Sequence, residues 1–148
     1  MSGRLTRAAV RALDRIGRTL RQPEHPEHLQ TGRRGEEEAY FYLRKLGYVM
    51  VARNWRSPRR HGELDLVGWD GDTLCFIEVK TRTTMDVKPA EAAVDGEKRR
   101  DLCAVAREYL RRLPSRPSHR FDVLSIYYLE GCGNSPQFAL FKNSFPMA

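Results

Sequence analysis

The chain has 148 residues, 41% of them hydrophobic and 30% charged, which suits a soluble globular domain that buries roughly two thirds of its unfolded surface. No apolar run approaches the ~20 residues of a membrane-spanning helix, and the Arg-rich N-terminus lacks the continuous apolar core of a signal peptide. The net charge of +7 points to a polyanionic partner, but residues 1–21 hold six Arg against one Asp, so most of the excess lies there and any nucleic-acid surface on the rest is a local cluster.

In chain order, residues 4–21 read as a basic amphipathic helix, with Leu5, Ala9, Leu13, Ile16 and Leu20 at 3–4 residue spacing and Arg on the other faces. Such a helix suits phosphate backbone or an anionic membrane surface. Gln22 to His28, interrupted by Pro23 and Pro26, reads as a flexible linker. Residues 1–31 are thus expected to stand apart from a domain over 32–148. That domain opens with a helix over about 34–46, closed by Gly47, and a strand over 48–52. Residues 53–61 read as a basic loop. Strands over 63–69 and 73–81 follow, joined by Asp70-Gly71-Asp72, a strong hairpin signal. A helix over about 95–113 presents Leu102, Val105, Tyr109 and Leu113 on its apolar side, and strands over 121–128 and 137–141 complete an α/β domain. Cys75, Cys103 and Cys132, odd in number and without a C-x-x-C pair, read as reduced thiols of a cytoplasmic protein.

The strand Leu74-Cys75-Phe76-Ile77-Glu78-Val79-Lys80 carries the chemistry. It begins apolar on both faces, as a covered central strand does, and then switches one face to Glu78 and Lys80. Buried charge must be paired or coordinated, so these two side chains are expected to line a cleft. The hairpin adds Asp65 to their face in either of two registers. With Asp70-Gly71 as the loop, Glu63 lies opposite Glu78; with Gly71-Asp72 as the loop, Asp65 does. Glu63 shares the facing and is a weaker candidate. In the first helix, only Glu36 of the Glu36-Glu37-Glu38 run aligns with Tyr40 and Leu43, so it points toward the sheet. Glu37 and Glu38 read as first-turn acids that complement the helix dipole.

Carboxylates of this kind suit Mg²⁺ or Mn²⁺, which lower the pKa of a bound water and polarise a phosphate. Glu36, Asp65 and Glu78 are the expected metal ligands. Lys80 is expected to orient or deprotonate the attacking water, or to offset charge in the transition state. Arg53, Arg56, Arg59 and Arg60, on the loop leading into Asp65, suit phosphate contact, as do Arg82, which shares the facing of Lys80, and Lys98, which heads the apolar stripe of the second helix. Trp55 reads as a core residue and Asp122, between Phe121 and Val123, as structural.

These residues also carry a resemblance. Gly35-Glu36-Glu37-Glu38-Ala39, Gly47-Tyr48, Arg53-Asn54-Trp55-Arg56, Gly62-Glu63-Leu64-Asp65-Leu66, Phe76-Ile77-Glu78-Val79-Lys80-Thr81-Arg82, Ala93-Val94, Lys98 and Arg120-Phe121-Asp122-Val123 together resemble the YraN-like family of bacterial proteins over about residues 32–145. That family is similar to archaeal Holliday-junction resolvases and to the PD-(D/E)-x-K nucleases. The resemblance implies a restriction-endonuclease-like fold, a mixed central sheet flanked by helices, and divalent-metal catalysis by Glu36, Asp65, Glu78 and Lys80. Two departures stand out: Leu64 replaces the Pro before the Asp, and Ser57 to His61 make a longer join. The expectation is therefore a metal-dependent endonuclease acting on structured DNA. The alternative is a nucleic-acid-binding protein that keeps the fold without turnover. A junction-cutting enzyme would in addition need to be a homodimer.

Overall fold

A computed structural model describes residues 27–83, 94–129 and 135–147. The expected basic helix over 4–21, the start of the linker and Cys132 lie outside these residues. The chain divides into two compact units, Met1–Gln30 and Thr31–Ala148, and the second carries the sheet. Among the described residues, no helix is long and apolar enough to cross a membrane.

The first helix, α1 (Glu27–Lys45), begins seven residues before the expected start and takes in Glu27 and His28 of the presumed linker. Pro26, the last prolyl break, comes just before it, and nothing after that proline forbids helical backbone. Gly47 follows the helix at φ 97, the left-handed turn that an L side chain rarely adopts and glycine adopts freely.

Strand β1 (Val49–Arg56) runs four residues beyond the expected end, so Arg53 to Arg56 are sheet residues and the loop shrinks to 57–62. A bulge between Met50 and Ala52 shifts its register on β2 (Glu63–Asp70). β2 and β3 (Thr73–Arg82) form the expected hairpin, and Asp70 opposite Thr73 makes Gly71-Asp72 its two-residue turn, with Gly71 at φ 58. The second of the two anticipated registers is therefore the one adopted. Helix α2 (Gly96–Arg111) carries the chain across one face to β4 (Ser118–Tyr127), which lies parallel to β3. β5 (Gln137–Phe145) returns antiparallel to β4, with a register shift between Phe121 and Val123. The sheet runs β1-β2-β3-β4-β5 and is mixed, because only the β3–β4 pair is parallel.

Two apolar layers hold the helices to opposite faces. Ala39 and Leu43 of α1 pack with Leu66, Cys75, Ile77, Leu124 and Ile126. Leu102, Val105, Ala106 and Leu110 of α2 pack with Leu64, Val67, Phe76, Phe121 and Val123. This is the three-layer, restriction-endonuclease-like arrangement expected. Trp55 packs against the second layer, its ring edge-on to Tyr109, as a core residue does. Cys75 and Cys103 are buried free thiols.

Asp122 is structural, as expected. It is completely buried and accepts hydrogen bonds from Arg120 Nε at 2.8 Å and from the Asn143 backbone N–H at 2.9 Å. Arg120 also donates to Asp70 at 2.7 Å, which ties the hairpin turn to β4. A buried carboxylate is tolerated here because its lone pairs are filled and a cation faces it.

Candidate metal centre

Beyond Leu66 opposite Ile77 the paired register of β2 and β3 ends, although both strands continue. The strands part here. Asp65 fills the gap: its carboxylate accepts the Val79 backbone N–H at 2.9 Å, a donor that would otherwise lack a partner on this side. Alternation also breaks at this point, since Leu64 and Val67 both pack on the α2 side while Leu66 packs on the α1 side. Asn54, which the β1–β2 register sets across from Asp65, has a left-handed φ of 48. Asp65 thus meets Glu78 across parted strands rather than through unbroken alternation.

Glu36, Glu63 and Asp65 converge, each with a carboxylate oxygen within 4.8 Å of the others, and these three could hold a metal ion. This grouping holds Glu36 and Asp65 of the expected ligand set and adds Glu63, the weaker candidate of the sequence. Glu36 reaches it because Gly35 sits against the Thr81 hydroxyl of β3, an approach no larger residue could make without displacement. Burial raises the Glu36 pKa, and Glu63 and Glu78 add to the rise, against a hydrogen bond from Asn54 and the charge of Arg53.

Asp65 and Glu78 are both buried, above a crevice lined by Leu64, Phe76, Leu102 and Phe121. Desolvation in this apolar setting, followed by the charge of Glu78, drives the Asp65 pKa well above the usual carboxylate range, and the Val79 N–H offsets only part of that. Glu78 divides its oxygens. Oε1 lies 3.3 Å from Lys80 Nζ and 3.5 Å from Lys98 Nζ, while buried Oε2 has no hydrogen-bond partner. A buried acceptor left unmatched is costly, and a cation or a proton would satisfy it.

Lys98 reaches the site through its helix start: the Asp95 side chain caps α2 by accepting the Lys98 N–H at 2.8 Å. Burial lowers the Lys98 pKa, but the charges of Glu78 and Asp65 outweigh it and the net shift is upward, so the ammonium stays protonated. The remaining expected contact residues spread out. Arg56 pairs with Glu63 at 2.7 Å, and Arg53 lies over the Tyr40 ring at 5.3 Å. Arg59 and Arg60 are exposed on the 57–62 turn. Arg82 stands near the end of β3, where its carbonyl accepts the Tyr128 N–H.

The model of uncharacterised protein family UPF0102 matches residues 35–126, which contain all of these side chains. A UPF0102 protein of Koribacter versatilis is 54% identical over 140 residues, covering 95% of this chain and 94% of that one. One from Solibacter usitatus is 46% identical over 127 residues, covering 85% and 89%. A third, from Rhodococcus opacus, is 39% identical over 119 residues, covering 80% and 98%. Matches of this identity and coverage make the chain a member of the UPF0102 family.

Proposed function

We propose that the protein is a divalent-metal-dependent nuclease that hydrolyses phosphodiester bonds in structured DNA. The observation that carries this reading is the convergence of Glu36, Glu63 and Asp65 beside a Glu78 whose buried oxygen lacks a partner. Like charges packed this closely in an apolar setting call for a cation, and hard carboxylate oxygens suit Mg²⁺ or Mn²⁺. Bound there, the ion would supply a lowered water pKa and neutralisation of the phosphate.

The chain's own residues divide the remaining work. Glu36, Glu63 and Asp65 would hold the cation, and the buried Glu78 Oε2 is a further oxygen without a partner that could join them. The Val79 N–H fixes one Asp65 oxygen and so sets the direction of the other. Lys80, 3.3 Å from Glu78 Oε1, would orient the attacking water and offset charge that develops on the phosphate. Lys98 holds Glu78 from the α2 side, so the carboxylate keeps its position while Lys80 engages substrate. The 57–62 turn presents Arg59 and Arg60 to the phosphate backbone.

The test is cleavage by purified protein of junction, flap, duplex and single-stranded DNA with Mg²⁺ or Mn²⁺. Metal-dependent cleavage that disappears in Asp65→Asn and Glu78→Gln supports the reading. Absence of cleavage on every substrate, or cleavage retained in both variants, refutes it.

A further inference from the structure

At the end of the domain away from Lys98, α2 closes on a second basic feature. The helix ends at Arg111 with Arg112 as its cap, Leu113 N–H bonds back to Leu110, and the short connection to β4 through Pro114 brings Arg116 beside the last turn. The result is an open pocket of about 340 Å³ lined by Arg107, Arg111 and Arg116 together with Leu110, Leu113 and Ser115. Glu108 pairs with Arg111 at 3.2 Å. Among the described residues, neither Arg107 nor Arg116 has a carboxylate partner, so the pocket carries more positive charge than the described carboxylates offset.

We propose that this pocket binds a nucleotide unit of the substrate nucleic acid, its phosphodiester on the guanidinium groups and its sugar against Leu110 and Leu113. Guanidinium groups match phosphate oxygens through paired N–H donors, and unlike ammonium they tolerate apolar neighbours. The volume exceeds a bare phosphate and falls at the lower end of ligand-sized sites. The three arginines come from the last turns of a helix and the short connection after it, with Arg107 half-buried and Arg111 and Arg116 exposed to an incoming strand. Lys98 and Arg111 are thirteen residues apart on one helix, which sets the pocket about 20 Å from the carboxylates at 1.5 Å per residue. That span corresponds to about six base-pair steps of 3.4 Å. The pocket rests on the nucleic-acid reading of the metal centre and would anchor the same molecule at a second point, fixing its direction across α2.

The experiment measures binding of a fluorescein-labelled 24-base-pair duplex by full-length protein in EDTA, over a salt series. Wild type is compared with R107A/R116A and with R33A/K45A, which removes the same charge from exposed positions of α1. The expected result is about a tenfold loss of affinity in R107A/R116A, with a salt slope shallower by about 1–2, an unchanged melting temperature and near-wild-type behaviour in R33A/K45A. Equal losses in both variants would make the effect one of net charge and overturn the pocket. So would unchanged duplex binding, including the case in which adenosine monophosphate alone binds through these arginines. The nuclease reading fails on a separate measurement: a wild type that never cleaves, but whose duplex binding still depends on Arg107 and Arg116, loses the activity and keeps the pocket.

Discussion

Replacing Asp65 with Asn should stabilise the metal-free protein, and increasingly so as the pH rises. Burial and the neighbouring Glu78 raise the Asp65 pKa from 3.8 to about 8, so near neutrality the folded Asp65–Glu78 pair holds a proton that the unfolded chain has released. Stability linked to that proton is fully present below about pH 4 and is lost as the pH climbs toward 8. Three pH units at about 1.4 kcal/mol each set an upper limit of about 4 kcal/mol on the loss by pH 7. Asn keeps an oxygen to accept the Val79 N–H and removes the charge, so it avoids most of this loss. At about 2–4 °C per kcal/mol for a chain of this size, a gain of 2 kcal/mol raises the melting temperature by roughly 4–8 °C. Thermal melts in EDTA from pH 4 to 8 read the effect. The two proteins should melt together at pH 4 and separate progressively above it, and only the wild type should be stabilised further by Mn²⁺. A gap that does not vary with pH, or an Asn variant less stable at pH 8, refutes the electrostatic argument.

Three further outcomes follow. Glu63→Gln should weaken Mn²⁺ binding by about tenfold in calorimetry while leaving the fold intact, since loss of one carboxylate costs about 1.4 kcal/mol per decade; wild-type affinity would remove Glu63 from the ligand set. Gly35→Ala should cost about 1–3 kcal/mol in urea unfolding through collision with Thr81, and adding Thr81→Ala should recover most of it; no recovery would mean that the contact does not set the position of α1. Asp122→Ala leaves Arg120 and the Asn143 N–H without their buried acceptor and should cost about 3–5 kcal/mol in the same assay, whereas a loss below 1 kcal/mol would demote the network.

Much of this organisation was legible in the residues. Periodicity placed every described helix and strand, and the hairpin turn limited the register to two choices that differ in the partner of Glu78. Alternation put Glu78 and Lys80 on one face of β3 and the hairpin register set Asp65 across from Glu78, although the strand is irregular there. Glu63 joins the acidic cluster where alternation breaks between Leu64 and Leu66, beside Asn54, whose left-handed φ no sequence pattern announces. The basic run after Ala52 looked like a loop because four arginines and a proline crowd it. Its first half is instead edge strand, where Arg56 pairs with Glu63 and Arg53 rests on Tyr40. Lys98 could be placed facing the sheet from the helix stripe alone, but its share in Glu78 required the crossing of α2 over β3. The Arg107–Arg116 pocket had no signal at all, because it joins a helix face to a residue of the connection that follows the helix.

The irregularities at the two rims of the sheet bear on how the protein behaves at high concentration. Among the described residues β1 and β5 are the edge strands, and β1 leaves Val49 63% and Val51 47% exposed, features of a strand that can recruit another copy by backbone pairing. Yet β1 bulges between Met50 and Ala52 and bends again at Asn54, while β5 is out of step with its neighbour near Phe121 and turns left-handed at Asn143. A sixth strand would have to follow these distortions to continue the ladder. Distorted rims are poor templates for a longer ladder, so the bulge in β1 and the left-handed residues of both edge strands work against edge-to-edge association.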